Sequence, residues 1–152
     1  MYKEIWKEPP WDEDFWTDEL VDEDVKFALS QTDFAGKVAT RKTESELYVV
    51  GFTWGYQLPK DKFPFLVTVF NQNDAFYVDE LGVDKPFRGG GIGARLSDLL
   101  EEEVRKFGYT SMTLRTDVRG VAYPFYKRRG YVDIQIRDPQ YTERAYMVKW
   151  LK

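Results

Sequence analysis

Residues 76–107 read FYVDELGVDKPFRGGGIGARLSDLLEEEVRKF, and this pattern decides the fold. It predicts a strand over 76–83, a glycine-rich turn over 84–90 and an amphipathic helix from 91 to 107. A helix N-terminus offers unpaired N–H groups and the positive end of the helix dipole. Glycines ahead of it let an anion approach the backbone, and Arg88 brings a full positive charge to the same point. That combination suits a phosphate or a pyrophosphate.

Two common phosphate motifs are excluded. A P-loop requires Gly-Lys-Ser/Thr, and the chain has no such triplet. A GxGxxG fingerprint begun at Gly91 requires glycine at position 96, where Leu96 stands. The chain carries Arg88-x-x-Gly91-x-Gly93 instead.

Composition bounds the chemistry. The 152 residues suffice for one domain with a sizeable core. A hydrophobic content of 43% against 32% charged residues is that of a globular chain. No run has membrane-spanning length and no signal-peptide pattern occurs, which makes the cytoplasm the default expectation. Zero Cys removes thiolate ligands, disulfides and a cysteine nucleophile. Zero His removes imidazole catalysis and most zinc sites, and no metal is expected. A general base must therefore be a carboxylate, or water held by one, with Tyr and Lys remaining as acids or bases. The net charge of −4 is uneven: residues 1–24 carry ten acidic and two basic side chains, and the rest carries 16 and 20. A cationic half over 85–129 suits a polyanionic ligand and an acidic lip suits a cationic one, although both also read as ordinary solvated surface. Nucleic acid is not an expected partner.

Outward from the organising stretch, residues 2–8 read as the end of a helix stopped by Pro9-Pro10, with Trp11 anchoring the turn. Thr17 is an N-cap for a helix over 18–31, with the stripe Leu20, Val21, Val25, Ala28 and Leu29 facing the core. Residues 34–42 and 47–57 read as a hairpin, and Gly51 and Gly55 suggest bulges or close backbone approach. Residues 58–64 form a loop, 65–70 fit either a strand or a short helix, and 71–74 form a turn. After Gly108 come a strand over 111–115, a short helix from 120 to 129 and strands over 131–136 and 145–150. The order predicts a mixed sheet with helices on both faces.

The Arg88-x-x-Gly91-x-Gly93 signature, between a strand and a helix, resembles the acetyl-CoA-binding signature of the GNAT N-acetyltransferase superfamily. The block Ala122-Tyr123-Pro124-Phe125-Tyr126-Lys127-Arg128-Arg129-Gly130-Tyr131 resembles that family's Ala-x-x-x-Tyr-x-x-x-Gly-Phe/Tyr. The resemblance covers roughly 9–150. It implies an α+β fold, a three-layer α/β/α domain over 1–152 with a central mixed, mostly antiparallel sheet. Relatives usually begin with a strand before the first helix, whereas this sequence starts inside that helix; either the strand is missing or an upstream segment has been lost. The resemblance further implies acetyl-CoA as co-substrate, with Arg88, Gly89, Gly90, Gly91, Ile92, Gly93 and Ala94 at its pyrophosphate and the backbone of Leu81, Gly82 and Val83 along its pantetheine arm. Tyr126 falls at the tyrosine that protonates the leaving thiolate, and a phenol is protonated at neutral pH. Many relatives have Asn where Arg119 stands, and an arginine there could meet a CoA phosphate.

Asp79 matches the base of polyamine-acetyltransferase-like members and Glu80 the acid of others, so both stay open. Adjacent strand residues point to opposite faces, so one of them faces the substrate unless a bulge intervenes. The segment Pro9-Pro10-Trp11-Asp12-Glu13…Trp16-Thr17 resembles one in bacterial aminoglycoside 6'-N-acetyltransferase-like members. Trp11, Asp12, Glu13 and Trp16 are the acceptor-binding candidates, through charge and cation–π contact, with capping and core anchoring as the alternative. The expected activity is direct acetyl transfer to a primary amine of a small molecule. Alternatives are a protein N-terminus or lysine as acceptor, or a non-catalytic acyl-CoA-binding module. Dimers are common among relatives, so a homodimer is one of the assemblies left open.

Overall fold

The computed structural model describes residues 1–59, 61–70 and 74–152, with backbone alone at 67 and 68. The turn expected over 71–74 therefore lies outside the described residues except for Asp74. Two helices open the chain, α1 (Tyr2–Trp6) and α2 (Asp18–Ser30). The Thr17 side chain accepts the Leu20 N–H, as an N-cap residue does. The hairpin follows as β1 (Ala35–Lys42) and β2 (Leu47–Gln57). Pro64–Thr68 is a 3-10 helix, which decides the ambiguity at 65–70 in favour of helix; Pro64 suits its start, where its missing N–H would have no helical partner. Then come β3 (Ala75–Val83), α3 (Ile92–Phe107), β4 (Ser111–Asp117), α4 (Ala122–Arg128), β5 (Val132–Arg137) and β6 (Arg144–Trp150).

The six strands form one sheet in the order β1-β2-β3-β4-β6-β5. Only β3 and β4 run parallel, and their pairing covers Ala75–Val78 against Ser111–Leu114. Beyond Val78 and Leu114 that ladder ends. Glu80 to Val83 stay paired with β2 on one side, and their other edge is left without a strand. Alternation along the strands separates two cores. Phe76, Val78, Met112, Leu114 and Met147 pack with Leu100 and Val104 of α3 and Tyr126 of α4. Tyr56, Tyr77, Tyr146 and Val148 pack on the other face with Ala28 of α2 and with Phe63, Leu66 and Phe70. The result is the expected three layers.

One expectation for α2 fails. Leu20 and Leu29 are 39% and 57% exposed, so they do not face the core. The inward face is Val21, Asp24, Val25 and Ala28, and an acid thereby sits on the buried side of a helix. Leu20 lies in the first turn and Leu29 is rotated about 100° from Ala28, which puts both outside that face.

Candidate active site

The splay of β3 from β4 opens a cavity of about 670 Å³ that joins every part of the expected site except Asp12 and Gly90. At one end lies the glycine turn. Asp84 caps the 3-10 helix Lys85–Phe87, and Gly89 and Gly91 have φ of 82° and 86°, a backbone that L side chains rarely adopt. A Cβ at Gly89, Gly90 or Gly91 would meet nothing within 4 Å, so the glycines leave open space over the helix end. No side chain caps α3, whose first helical bond is Arg95 N–H to Gly91 C=O. The N–H groups of Ile92, Gly93 and Ala94 precede that bond and are open to an anion. Arg88 donates from Nε to the Val83 carbonyl at 2.8 Å and grips Glu8 with both terminal nitrogens, at 2.6 and 3.0 Å.

The middle of the cavity is walled by Leu81, Gly82 and Val83 on one side and by Leu114, Phe125 and Tyr126 on the other. Tyr126 is 7% exposed and packs edge-on against Phe125 and Tyr131. Burial, then the charge of Glu80, pushes its phenol above the ordinary tyrosine value, so it stays protonated.

The far end holds the carboxylates. The ladder pairs Trp54 with Glu80 but Gly55 with Val78, so Asp79 is an extra residue, a β-bulge. Gly55 permits it: a Cβ there would lie 2.3 Å from the Tyr77 carbonyl oxygen. The bulge cancels the alternation, and Asp79 and Glu80 line the same cavity. Burial raises the pKa of both; Lys62 opposes the rise at Asp79 while Asp24 adds to it, and the charges of Asp79 and Asp24 help to carry Glu80 well above the ordinary value. Asp24 of α2 joins them, with one oxygen from each of the three within 4.8 Å of the others. The Tyr2 phenol lies 2.7 Å from Asp24 Oδ2 and 3.3 Å from Glu80 Oε1, and the Trp54 indole donates to Asp79 Oδ2 at 3.2 Å.

Asp24, Tyr2 and Trp54 escaped the sequence reading. The signal for Asp24 was available, because it falls between Val21 and Ala28 on the helical face that packs inward. Tyr2 and Trp54 carry no such signal, since aromatics near strands and termini are ordinary core residues.

The acceptor candidates divide. Trp11, Glu13 and Trp16 line the cavity. Asp12 is exposed and lines a separate shallow cleft with Pro9, Pro10, Arg119, Gly120 and Val121. Glu13 is already engaged: it accepts from Arg144 at 3.2 Å and from the Trp16 indole at 2.8 Å. Trp11 sits under the Arg144 guanidinium, 5.0 Å from it, and edge-on to Trp6. This loop is therefore anchored internally. Arg119 is paired twice with Asp117, at 3.0 and 2.7 Å.

An anion cradle leading to a protonated phenol and a cluster of buried acids is the layout of a group-transfer enzyme. The group itself follows from the family. The sequence model of the acetyltransferase (GNAT) family matches residues 1–131, and the chain belongs to that family. It is accordingly an acyl-CoA-dependent acetyltransferase.

Solved structures share the fold. An aminoglycoside 6'-acetyltransferase type Ii aligns with a TM-score of 0.65 at 20% identity, over 97% of this chain and 86% of that one. The PaiA N-acetyltransferase from Thermoplasma acidophilum, in complex with coenzyme A, aligns at 0.64 and 14% identity, over 98% and 85%. Ard1 from Thermoplasma volcanium aligns at 0.56 and 21% identity over 69% of this chain, which spans 65% of that protein, just under two thirds. No curated protein is significantly similar in sequence. No helix among the described residues is long and apolar enough to cross a membrane.

Proposed function

We propose that the protein transfers an acetyl group from acetyl-CoA to a primary amine of a small molecule by direct attack. The observation that carries the reading is the continuity of one cavity, from the α3 N-terminus past the open edge of Leu81–Val83 to Tyr126, Asp79 and Glu80. The pyrophosphate rests on the N–H groups of Ile92, Gly93 and Ala94, with Arg88 beside it. The pantetheine arm runs along the β3 edge that lacks a strand, as an added strand would. A carboxylate at Glu80 or Asp79 takes a proton from the ammonium, directly or through water. The freed amine nitrogen forms a bond to the thioester carbon, the carbon–sulfur bond breaks, Tyr126 gives its proton to the departing thiolate, and the second proton lost from the new amide nitrogen restores the Tyr126 phenol. With no Cys in the chain, no acetyl-cysteine intermediate intervenes.

A small acceptor is favoured by the bulky lining of the cavity, which includes Trp6, Trp11 and Trp16, and by Lys62 beside Asp79. The test is release of CoA thiol from acetyl-CoA against polyamines, aminoglycosides, amino acids and peptides with free amines. Turnover with a small amine supports the reading. Turnover with peptides alone moves the acceptor to a protein, and binding of acetyl-CoA with no turnover on any amine leaves a binding module.

A further inference from the structure

Among the described residues, five cations line the cavity: Lys62, Arg88, Arg115, Arg128 and Arg144. Four of them are spent on acids. Lys62 lies 4.0 Å from Asp79, Arg88 2.6 Å from Glu8, Arg115 2.6 Å from Asp138 and Arg144 3.2 Å from Glu13. Arg128 is exposed and has no acid, hydrogen-bond acceptor or aromatic ring as a partner among the described residues. It is the one guanidinium of the cavity wall left entirely free for a ligand.

Its neighbours on α4 fix its place. Phe125 stands one turn earlier on the same side of the helix and reaches the start of α3: a Cβ at Gly93 would lie 3.9 Å from its ring. Arg129, the next residue, donates to Ser97 at 3.1 Å and to Asp98, with its guanidinium 5.6 Å from the centre of the Phe125 ring. The last turn of α4 is thus pinned against the first two turns of α3, which puts Arg128 at the cradle end of the cavity. Arg88 is on the opposite wall, bonded to the Val83 carbonyl of β3 and to Glu8.

CoA carries three phosphates, and its pyrophosphate accounts for two. The third is a monoester on the 3'-oxygen of the ribose, with about two negative charges at neutral pH. It hangs from the same ribose as the pyrophosphate, so it must lie close to the cradle. A guanidinium matches phosphate oxygens with a planar fork of donors, which makes an unpaired arginine at that end its fitting partner. Arg119, the arginine that the sequence offered for a CoA phosphate, is bonded twice to Asp117 and lines the separate cleft instead. We propose that Arg128 holds the 3'-phosphate of CoA and makes the protein select CoA over dephospho-CoA. This rests on the placement of the pyrophosphate at the α3 N-terminus, and it concerns the acyl donor rather than the acceptor.

The test is calorimetric binding of CoA and of dephospho-CoA to the native chain, Arg128→Gln and Arg119→Gln. The native chain should bind CoA about three- to tenfold more tightly than dephospho-CoA, the value of a charge-assisted contact at a partly exposed site. The gap should narrow as salt is added. Arg128→Gln should lose CoA affinity by that same factor and keep its dephospho-CoA affinity within about twofold, so that the preference disappears. Retained dephospho-CoA affinity certifies the fold of the variant. Arg119→Gln should keep the preference. Equal weakening of both ligands in Arg128→Gln would assign that arginine to the pyrophosphate and overturn the proposal. A preference that survives in Arg128→Gln, vanishes in Arg119→Gln or is absent from the native chain would overturn it as well, with the cradle left standing. Failure of both ligands to bind the native chain would overturn the cradle too.

Discussion

Glu8 holds both terminal nitrogens of Arg88, eighty residues away in sequence, at 2.6 and 3.0 Å. The arginine that marks the glycine turn is therefore half neutralised before any phosphate arrives. The hydrogen bond to Arg88 depresses the Glu8 pKa, so the pair is ionised at neutral pH. Glu8→Gln should tighten acetyl-CoA binding by about 1.5- to 5-fold, the value of a partly exposed ion pair, with the largest gain at low salt. Weaker binding in this variant would mean that Glu8 instead orients Arg88 for the ligand.

Tyr126 has its phenol in the cavity wall and is kept protonated by burial. Tyr126→Phe should lower kcat by about 100-fold or more, the usual contribution of a general acid, with acetyl-CoA affinity changed less than about twofold. Single-turnover kinetics and equilibrium binding separate the two. An unchanged kcat removes Tyr126 from the mechanism.

Glu80 couples activity and stability through one proton. Burial, then the charges of Asp79 and Asp24, raises its folded pKa well above the ordinary value. Between those two values the folded chain holds a proton that the unfolded chain has lost, so stability falls as pH rises across that window. Glu80→Gln lacks that fall. Its Tm should exceed that of the native chain by an increment that grows as pH rises above the ordinary glutamate value, reaching roughly 2–4 °C for each kcal/mol recovered. In the native enzyme kcat/KM should rise with pH over the same window, as the base ionises. A Tm increment independent of pH would show that Glu80 titrates as it does in the unfolded chain.

Gly55 fixes the bulge that turns Asp79 into the cavity. A methyl group there meets the Tyr77 carbonyl oxygen at 2.3 Å and the Phe76 ring at 2.5 Å, both held in the sheet core. Gly55→Ala should cost about 1–3 kcal/mol, seen as a fall of roughly 3–10 °C in Tm. It should also lower kcat, because the register of Asp79 and Glu80 shifts with the strand. A variant of native Tm and kcat would show that the sheet can open locally at no cost.

Much of this was written in short-range patterns. Gly89, Gly91 and Gly108 adopt the left-handed backbone that their positions around α3 call for, and Thr17 caps α2 as its spacing predicts. The hairpin, β3 and the short helix carrying Tyr126 follow from period and punctuation, because those are set by residues within a few positions of one another. The α2 stripe was misread at Leu20 and Leu29, where helical periodicity names an apolar face but cannot say how wide a sheet will cover it.

The site divides along the same line. The sequence by itself determined the anion cradle, since Arg88-x-x-Gly91-x-Gly93 and the helix it opens are contiguous. It also determined that a carboxylate and a phenol must do the proton chemistry, since the chain has neither His nor Cys. Only the tertiary structure decided that Asp79 and Glu80 share a face, because the bulge is a relation between β2 and β3 that Gly55 permits across the ladder. Only it brought Asp24 and Tyr2 to them and Glu8 to Arg88, because charges that far apart in the chain meet only once helices α1 and α2 have closed over the sheet.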